Sequence, residues 1–340
     1  MTQSTLPTLE DVARLADVST ATVSRCINAP ERVAAATRAR IESAIDALGY
    51  TPNFGARALV MRRTGIVGAV IPTLSSAIFS RAIQAFQHEL DRAGWTLVLA
   101  SSDSNRATEA RQIRALIARG VDGLFLVGAE RDQASYRLLQ QRKTPFVIGW
   151  TTDVPASQTC VGFDNAGAMR ALTERALALG HRRFGVISAP LDHNDRARAR
   201  VSGVRDALTQ FGLPASALMV AEVPYEIAAA GQAFDQLVAD SEPPTIILCG
   251  NDVQAAGAIR RAQKLGFSVP DDMSITGFDN LEHAELVDPG VTTVAVPHDE
   301  MGKQAALALV AQVTGEPHPR TTCLATELVV RQSLGHAPSR

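Results

Sequence analysis

At 340 residues the chain exceeds one small domain and predicts two or three. Hydrophobic residues make up 46%, enough for a large core, and a net charge of −2 excludes a global field that would draw the chain onto nucleic acid or a membrane. Any nucleic-acid contact must be local and must fall to arginine, because only three of the 33 basic residues (Lys143, Lys264, Lys303) are lysine.

The opening "MTQSTLPTLEDVA" has no basic stretch followed by an apolar one, and no run approaches the ~18 apolar residues of a membrane span. A cytoplasmic location is expected. Three short helical patterns then fill residues 8–49. "TLEDVARLA" opens on Thr8 as N-cap, with Asp11 completing a capping box, and Val12, Leu15 and Ala16 on one face. After a tight "DV" turn, Ser19 caps a second helix (about 19–27) that points Val23, Cys26 and Ile27 inward. "NAPERVAAA" reads as a loop. A third helix carries Ile41, Ile45 and Leu48 inward and stops at Gly49. Pro52 breaks the structure, and Asn53 can cap a brief helix that contains Gly55 and ends in Arg62 and Arg63. Alone in water that helix is marginal, so the segment reads as a linker.

From Gly65 the texture becomes alternating β and α. "GIVGAVI" reads as a buried strand and "WTLVLA", "GLFLVG" and "PFVIGW" as further strands, with helices over about 80–93, 105–119 and 132–142 between them. The pattern restarts at "RRFGVISAP" (182–190), and "SALMVAE", "PTIILCG" and "MSITGFD" supply more strands. Such alternation predicts α/β architecture with two doubly wound parallel sheets, whose ligands bind beyond the carboxyl ends of the strands. The loops at issue are 72–79, 128–131, 149–153, 189–200, 223–227, 249–252 and 277–280. No GxSxG, HExxH, GxxxxGK[ST] or GxGxxG occurs, so no catalytic residue, metal site or cofactor is expected. His181, at a helix-to-strand corner, reads as a capping or surface residue. The four cysteines (26, 160, 249, 323) are far apart and read as small buried residues.

"TLEDVARLADVSTATVSRCIN", then "YTPNFGARALV", then the two-lobed βα pattern together resemble the LacI/GalR family of bacterial transcription regulators. Later stretches fit as well, among them "VDGLFLV", "VGFDN", "GHRRFGVI" and "LCGNDVQAAGAIRRAQKLGFSVPDDMSITGFDN". The resemblance implies a helix-turn-helix headpiece (1–52), a hinge helix and linker (53–64) and an effector-binding, dimerising core (65–340) resembling periplasmic sugar-binding proteins. Within that core it implies an N-lobe of about 65–162 and 295–323 and a C-lobe of about 163–294 and 324–340. It implies a homodimer on double-stranded operator DNA, controlled by a small molecule between the lobes. The tail "VVRQSLGHAPSR" lacks leucine heptads, which favours a dimer over a coiled-coil tetramer.

Carried over by position, the second helix is the recognition helix. Thr20 and Ala21 stand at its reading end and Arg25 also faces DNA. The residue types suit the task, since short side chains let the helix lie close to base edges while Arg25 can fork onto guanine or grip phosphate. Ser19, Thr22 and Ser24 suit phosphate or capping bonds, and Thr8 and Asn28 complete the expected DNA set. Through residue 64 there are eight arginines against six acids, a surplus of two, so binding should weaken steeply with salt and lean on dimerisation. Asn53, Ala56 and Leu59 match the family's hinge helix, with Leu59 as the wedge that enters the minor groove.

For the effector, the resemblance points to Ser75 and Phe79, to Trp150 (where many relatives carry an acid), to the gripping Arg200, and to Tyr225, Asn251 and Asp279. Trp150 favours a ring or chain packed on indole. Arg196 shares a helical face with Arg200, and two cations near one pocket suggest an acidic ligand. "IPTLSSAIF" with "VGFDN" resembles the gluconate-repressor branch, which points to a sugar acid. A neutral sugar, a purine, or a sugar-binding role without gene control stands as the alternative.

Overall fold

The computed structural model describes residues 6–51 and 63–339. It falls into two compact units, Met1–Thr64 and Gly65–Arg340, each taken by itself. Among the described residues no helix is long and apolar enough to cross a membrane.

The first unit is a three-helix cluster: α1 (Leu9–Leu15), α2 (Thr20–Asn28) and α3 (Ala35–Leu48). Thr8 caps α1 through a reciprocal capping box. Its Oγ1 accepts from the Asp11 amide at 3.3 Å, and Asp11 Oδ2 accepts from the Thr8 amide at 2.9 Å. Asp17 makes the turn with φ 50°, and α3 ends on Gly49 at φ 60°. Val12, Val23 and Ile41 are fully buried at the centre. Leu15 departs from the sequence reading: it is 55% exposed, and Ala13 takes the inward place. The expected loop after α2 contains a 3₁₀ turn at Pro30–Arg32, and α3 starts inside its alanine run.

The second unit has two parallel sheets. The first is ordered β11-β5-β4-β3-β1-β2, from β1 (Ile66–Ile71), β2 (Thr96–Ser101), β3 (Gly123–Val127), β4 (Phe146–Gly149), β5 (Thr159–Gly162) and β11 (Thr321–Cys323). The second is ordered β7-β6-β8-β9, from β6 (Phe184–Ser188), β7 (Leu218–Glu222), β8 (Ile246–Cys249) and β9 (Ser274–Thr276). The connecting helices are α4 (Ala77–Arg92), α5 (Arg106–Ala118), α6 (Gln133–Arg142), α7 (Asn165–Ala178), α8 (Asp195–Gln210), α9 (Ile227–Val238), α10 (Asp252–Lys264), α11 (His283–Leu286) and α12 (His298–Thr314). The chain crosses between the lobes after β5, after β10 (Thr293–Ala295) and after β11, and β10 pairs antiparallel with β12 (Glu327–Val329) near those crossings. α4 begins three residues before its expected start, with Ser76 in the cap position. The short strands β5 and β10–β12 were not among the strands read from the sequence.

Two glycines set the helix packing. A Cβ at Gly302 on α12 would lie 1.9 Å from the Ala82 carbonyl of α4, and one at Gly203 on α8 would lie 2.1 Å from the Ala166 carbonyl of α7. An aromatic stack fills the first lobe. Phe86 lies on Phe125 (4.8 Å between centroids), Phe125 on Trp150 (5.9 Å), and Phe79 meets Trp150 edge-on (5.0 Å). Each such pair contributes about 0.5–1.5 kcal/mol beyond area burial and holds the 149–151 strand end rigid. Strand order reverses at β1 in the first sheet and at β6 in the second, so the loops after β1, β3, β6 and β8 form the crevice.

Candidate functional site

The headpiece leaves one face of α2 exposed. Ser19 caps it by accepting from the Thr22 amide at 3.2 Å, and the two hydroxyls lie 2.8 Å apart. Thr20, Ala21, Arg25 and Asn28 are exposed, while Thr22 and Ser24 are half-buried. Asn28 is already tied down, its amide nitrogen donating to the Ser24 carbonyl at 2.8 Å. Arg25 makes no ion pair among the described residues and so presents a free fork. Thr8 donates to Asp11 Oδ2 at 2.7 Å, and these bonds with Thr8 hold the Asp11 carboxyl below its usual range. The cap therefore already engages this hydroxyl. Asn53, Ala56 and Leu59 lie outside the described residues.

In the core, the loop after β3 is built from beneath by a buried arginine. Arg131 donates to the Gly128 carbonyl (2.6 Å) and to the Tyr136 hydroxyl (2.7 Å), and Tyr136 donates in turn to the Ala129 carbonyl (2.6 Å). Glu109 pairs with Arg131 at 3.4 Å, yet burial still pushes the Glu109 carboxyl above its usual range. The C-lobe reaches this loop from the start of α8. Asp195 accepts from the Ala129 amide at 2.8 Å and pairs with Arg196 at 2.7 Å. The Arg196 guanidinium presses on Gly128, whose φ of +70° and missing Cβ make the room. Arg198 pairs with Glu130, and His193 meets Arg106 at 2.9 Å. A polar clasp therefore spans the lobes. Burial lowers the Arg196 pKa, with Asp195 opposing the shift.

Arg200, one helical turn on, is built differently. It is buried, and its head donates to Asn165 Oδ1 (2.8 Å) and to the Tyr225 hydroxyl (2.8 Å) while lying 4.9 Å over the Phe278 ring. Asn165 is set by its own amide nitrogen, which donates to the Trp150 carbonyl at 2.9 Å. All of these partners are neutral. Arg200 Nε is buried without a hydrogen-bond partner among the described residues.

The floor is acidic. Asn251 caps α10, accepting from the Gln254 amide at 2.9 Å. Asp252 follows, fully buried, and accepts from Thr293 Oγ1 (2.6 Å) and the Leu281 amide (2.7 Å). Burial pushes its carboxyl up to about 7, and the nearby Asp279 charge adds to the shift. Asp279 stands at φ 96°, a conformation rare outside glycine, and meets His298 Nε2 at 3.5 Å.

The structure thus brings Arg200, Tyr225, Trp150 and, through Phe278, Asp279 into one connected cluster, with Phe79 against the indole. Ser75 stays exposed on Thr73 (2.9 Å between hydroxyls), and Arg196 is committed to the clasp. The Trp150 ring is buried between Phe79 and Phe125, so it does not offer an open face. Sequence reasoning missed Asn165, although "GFDN" occurs at both 162–165 and 277–280. It also missed His298. His181 is fully buried, not a surface residue, with its nitrogens on Thr245 Oγ1 (2.9 Å) and the Gly335 carbonyl (3.2 Å). Among the cysteines, Cys323 is exposed.

Residues 8–53 match the bacterial regulatory proteins of the lacI family, and residues 173–334 match a periplasmic binding protein-like domain. The chain is 31% identical to the HTH-type transcriptional repressor PurR of Photobacterium profundum over 97% of this chain and 99% of that protein. The transcription regulator GntR from Chromobacterium violaceum is similar in structure (TM-score 0.74, 30% identity, 79% of this chain and 99% of that one). So is the lac repressor dimer bound to operator and the anti-inducer ONPF (TM-score 0.86, 25% identity, 97% and 100%).

Proposed function

The chain belongs to the LacI family of bacterial regulatory proteins, and from that premise we propose that it represses sugar-acid catabolism genes of the gluconate type. As a member of that family it is a DNA-binding transcriptional repressor and not an enzyme. In this reading it works in the cytoplasm as a homodimer on double-stranded operator DNA. The domain plan is a headpiece of 1–52, a hinge of 53–64 and a core of 65–340, and a small acid binds between the core lobes.

One observation carries the ligand class. Among the described residues Arg200 is a buried guanidinium with neutral partners only and no hydrogen-bond partner for Nε. A buried cation without an anion is costly, and a ligand carboxylate supplies the missing charge together with a charge-assisted bond. The stretches "IPTLSSAIF" and "VGFDN" support the same branch. Asn251 and Asp279 are the candidates for hydroxyls.

The switch follows from the clasp. A ligand held by Arg200 and Asp279 of the second lobe sits against the first-lobe strand end at Trp150 and changes how Asp195, Arg196 and Arg198 meet Gly128, Ala129 and Glu130. Its leverage is the difference in its affinity for the two lobe arrangements. The shifted lobes then release the paired hinge segments, and the headpieces lose register on the operator. Calorimetry with gluconate, 2-ketogluconate and glucose, paired with a gel shift on operator DNA, tests the reading. Binding of the acids, with a matched change in operator affinity, is expected. Binding of neutral sugars or purines alone would overturn it.

A further inference from the structure

We propose that His298 is a specificity-determining residue of the effector cleft, meeting a hydroxyl of the bound sugar jointly with Asp279. The inference rests on reading the cleft as the effector site. His298 opens α12, the helix packed on α4 of the first lobe, whereas Asp279 follows β9 of the second. Their side chains meet at the lobe junction, Nε2 to Oδ1 at 3.5 Å.

The imidazole is fully buried, and neither ring nitrogen has a hydrogen-bond partner among the described residues. His181 provides the internal contrast. It is equally buried, and both its nitrogens are engaged, one by a hydroxyl and one by a carbonyl. A histidine that only fills the core is satisfied in that way, because an orphaned buried polar group costs stability. The second sign is Asp279 itself, held at φ 96° and followed by Asn280 at φ 52°. Asp279 lies well beyond the ordinary left-handed well at about +57°, unlike the turn pair Asp103 and Ser104 at 52° and 53°, and such an angle is retained where geometry matters more than local energy.

The spacing defines what fits. Two polar atoms 3.5 Å apart are too far for a good mutual hydrogen bond, and because the imidazole is fully covered here, one oxygen comes to about 2.8 Å from each only when the lobes part to admit it. Such an oxygen donates to the Asp279 carboxylate and accepts from His298, so it must be a hydroxyl. An ether or a deoxy carbon cannot serve both. A ligand bonded in this way bridges the lobes, since each partner belongs to a different one.

The experiment is calorimetry on the full-length protein with gluconate and with glucose, for wild type, His298→Gln and His298→Phe. The glutamine amide can donate from the imidazole's place, and phenylalanine fills the volume without a donor. Expected is an affinity loss of about tenfold or more for His298→Phe, against less than about threefold for His298→Gln, with both melting within about 5 °C of wild type. Equal affinities in all three proteins, equal losses in both variants, or a larger fall in melting temperature for His298→Phe would overturn the assignment. If wild type takes glucose and not gluconate, the sugar-acid reading fails, and the contrast between the variants, measured on glucose, still decides His298. If wild type binds neither, both fall.

Discussion

Replacing Arg200 with methionine separates the ligand reading from a structural one. The side chain keeps its length and loses its charge. In the unliganded protein two bonds to neutral acceptors disappear (2.8 Å each), together with the contact over Phe278. Each bond contributes about 1–2 kcal/mol, and stranding the buried Asn165 oxygen adds about 1–3. Against this, the desolvation of a buried guanidinium disappears, and that is worth several kcal/mol. The terms nearly cancel, so the melting temperature should stay within about 5 °C of wild type. With an acid bound the balance is lopsided. Removing one partner of a buried charge pair costs about 3–5 kcal/mol, which is some two to three and a half decades in affinity. Titration of gluconate into both proteins by calorimetry reads this directly. Affinity within threefold of wild type, or a collapse in melting temperature, would refute the reasoning.

Asp252→Asn should flatten a pH dependence. The Asp252 carboxyl sits at about 7 in the folded protein against 3.8 for the ordinary group, so the folded state holds the extra proton between those values. Stability is therefore lost as pH rises from about 4 to about 7. The difference is at most about 4 kcal/mol, less whatever the first turn of α10 gives the carboxylate. Denaturant titrations across that window should show the variant gaining on wild type with rising pH, and parallel curves would count against the buried acid. Leu59→Ala should leave a folded dimer and weaken operator binding, and an unchanged gel-shift titration would remove the wedge idea. Arg198→Glu sets a carboxylate against Glu130 across the clasp and should move the effector concentration for half-release of operator about threefold, since the pair is partly exposed. Adding Glu130→Arg should restore it, and failure of the double swap would show that the clasp does not set the lobe balance.

What the sequence showed tracks how local each signal is. The caps at Thr8, Ser19 and Gly49 depend on neighbours within four residues, and all three stand as read. The long strands β1–β3 have enough apolar length to stand out. β5 and β10–β12 hold three or four residues each, and their strand character comes from sheet partners far along the chain, such as Thr321 beside Cys160. Leu15 failed because a seven-residue helix touches its neighbours over a narrow stripe, which Val12, Ala13 and Ala16 already fill. The cleft behaved in the same way. Arg200 and Asp279 were named by position, but Arg131, Glu109 and Tyr136 cooperate only after folding, and nothing in "VGAERDQASY" announces that Arg131 props the loop from below.

The repeated "GFDN" shows how one local sequence came to serve two tasks. Both copies close a strand with a glycine that admits a neighbour, Thr151 at Gly162 and Asp252 at Gly277. Both phenylalanines are fully buried, 6.0 Å apart at the lobe junction. The copies diverge at the next two residues, because a helix begins at once in the first and not in the second. In the first, Asp164 is consumed as the N-cap of α7, accepting from the Gly167 amide at 2.8 Å, and Asn165 turns in to orient Arg200. In the second, Asp252 accepts from the Leu281 amide, no helix starts at residue 280, and Asp279 stands at positive φ against His298. The buried Asp252 therefore does more than line the floor. By fixing the Leu281 amide and the Thr293 hydroxyl it braces the turn that leaves the cleft an acid facing a histidine, next to an arginine whose partners among the described residues are neutral.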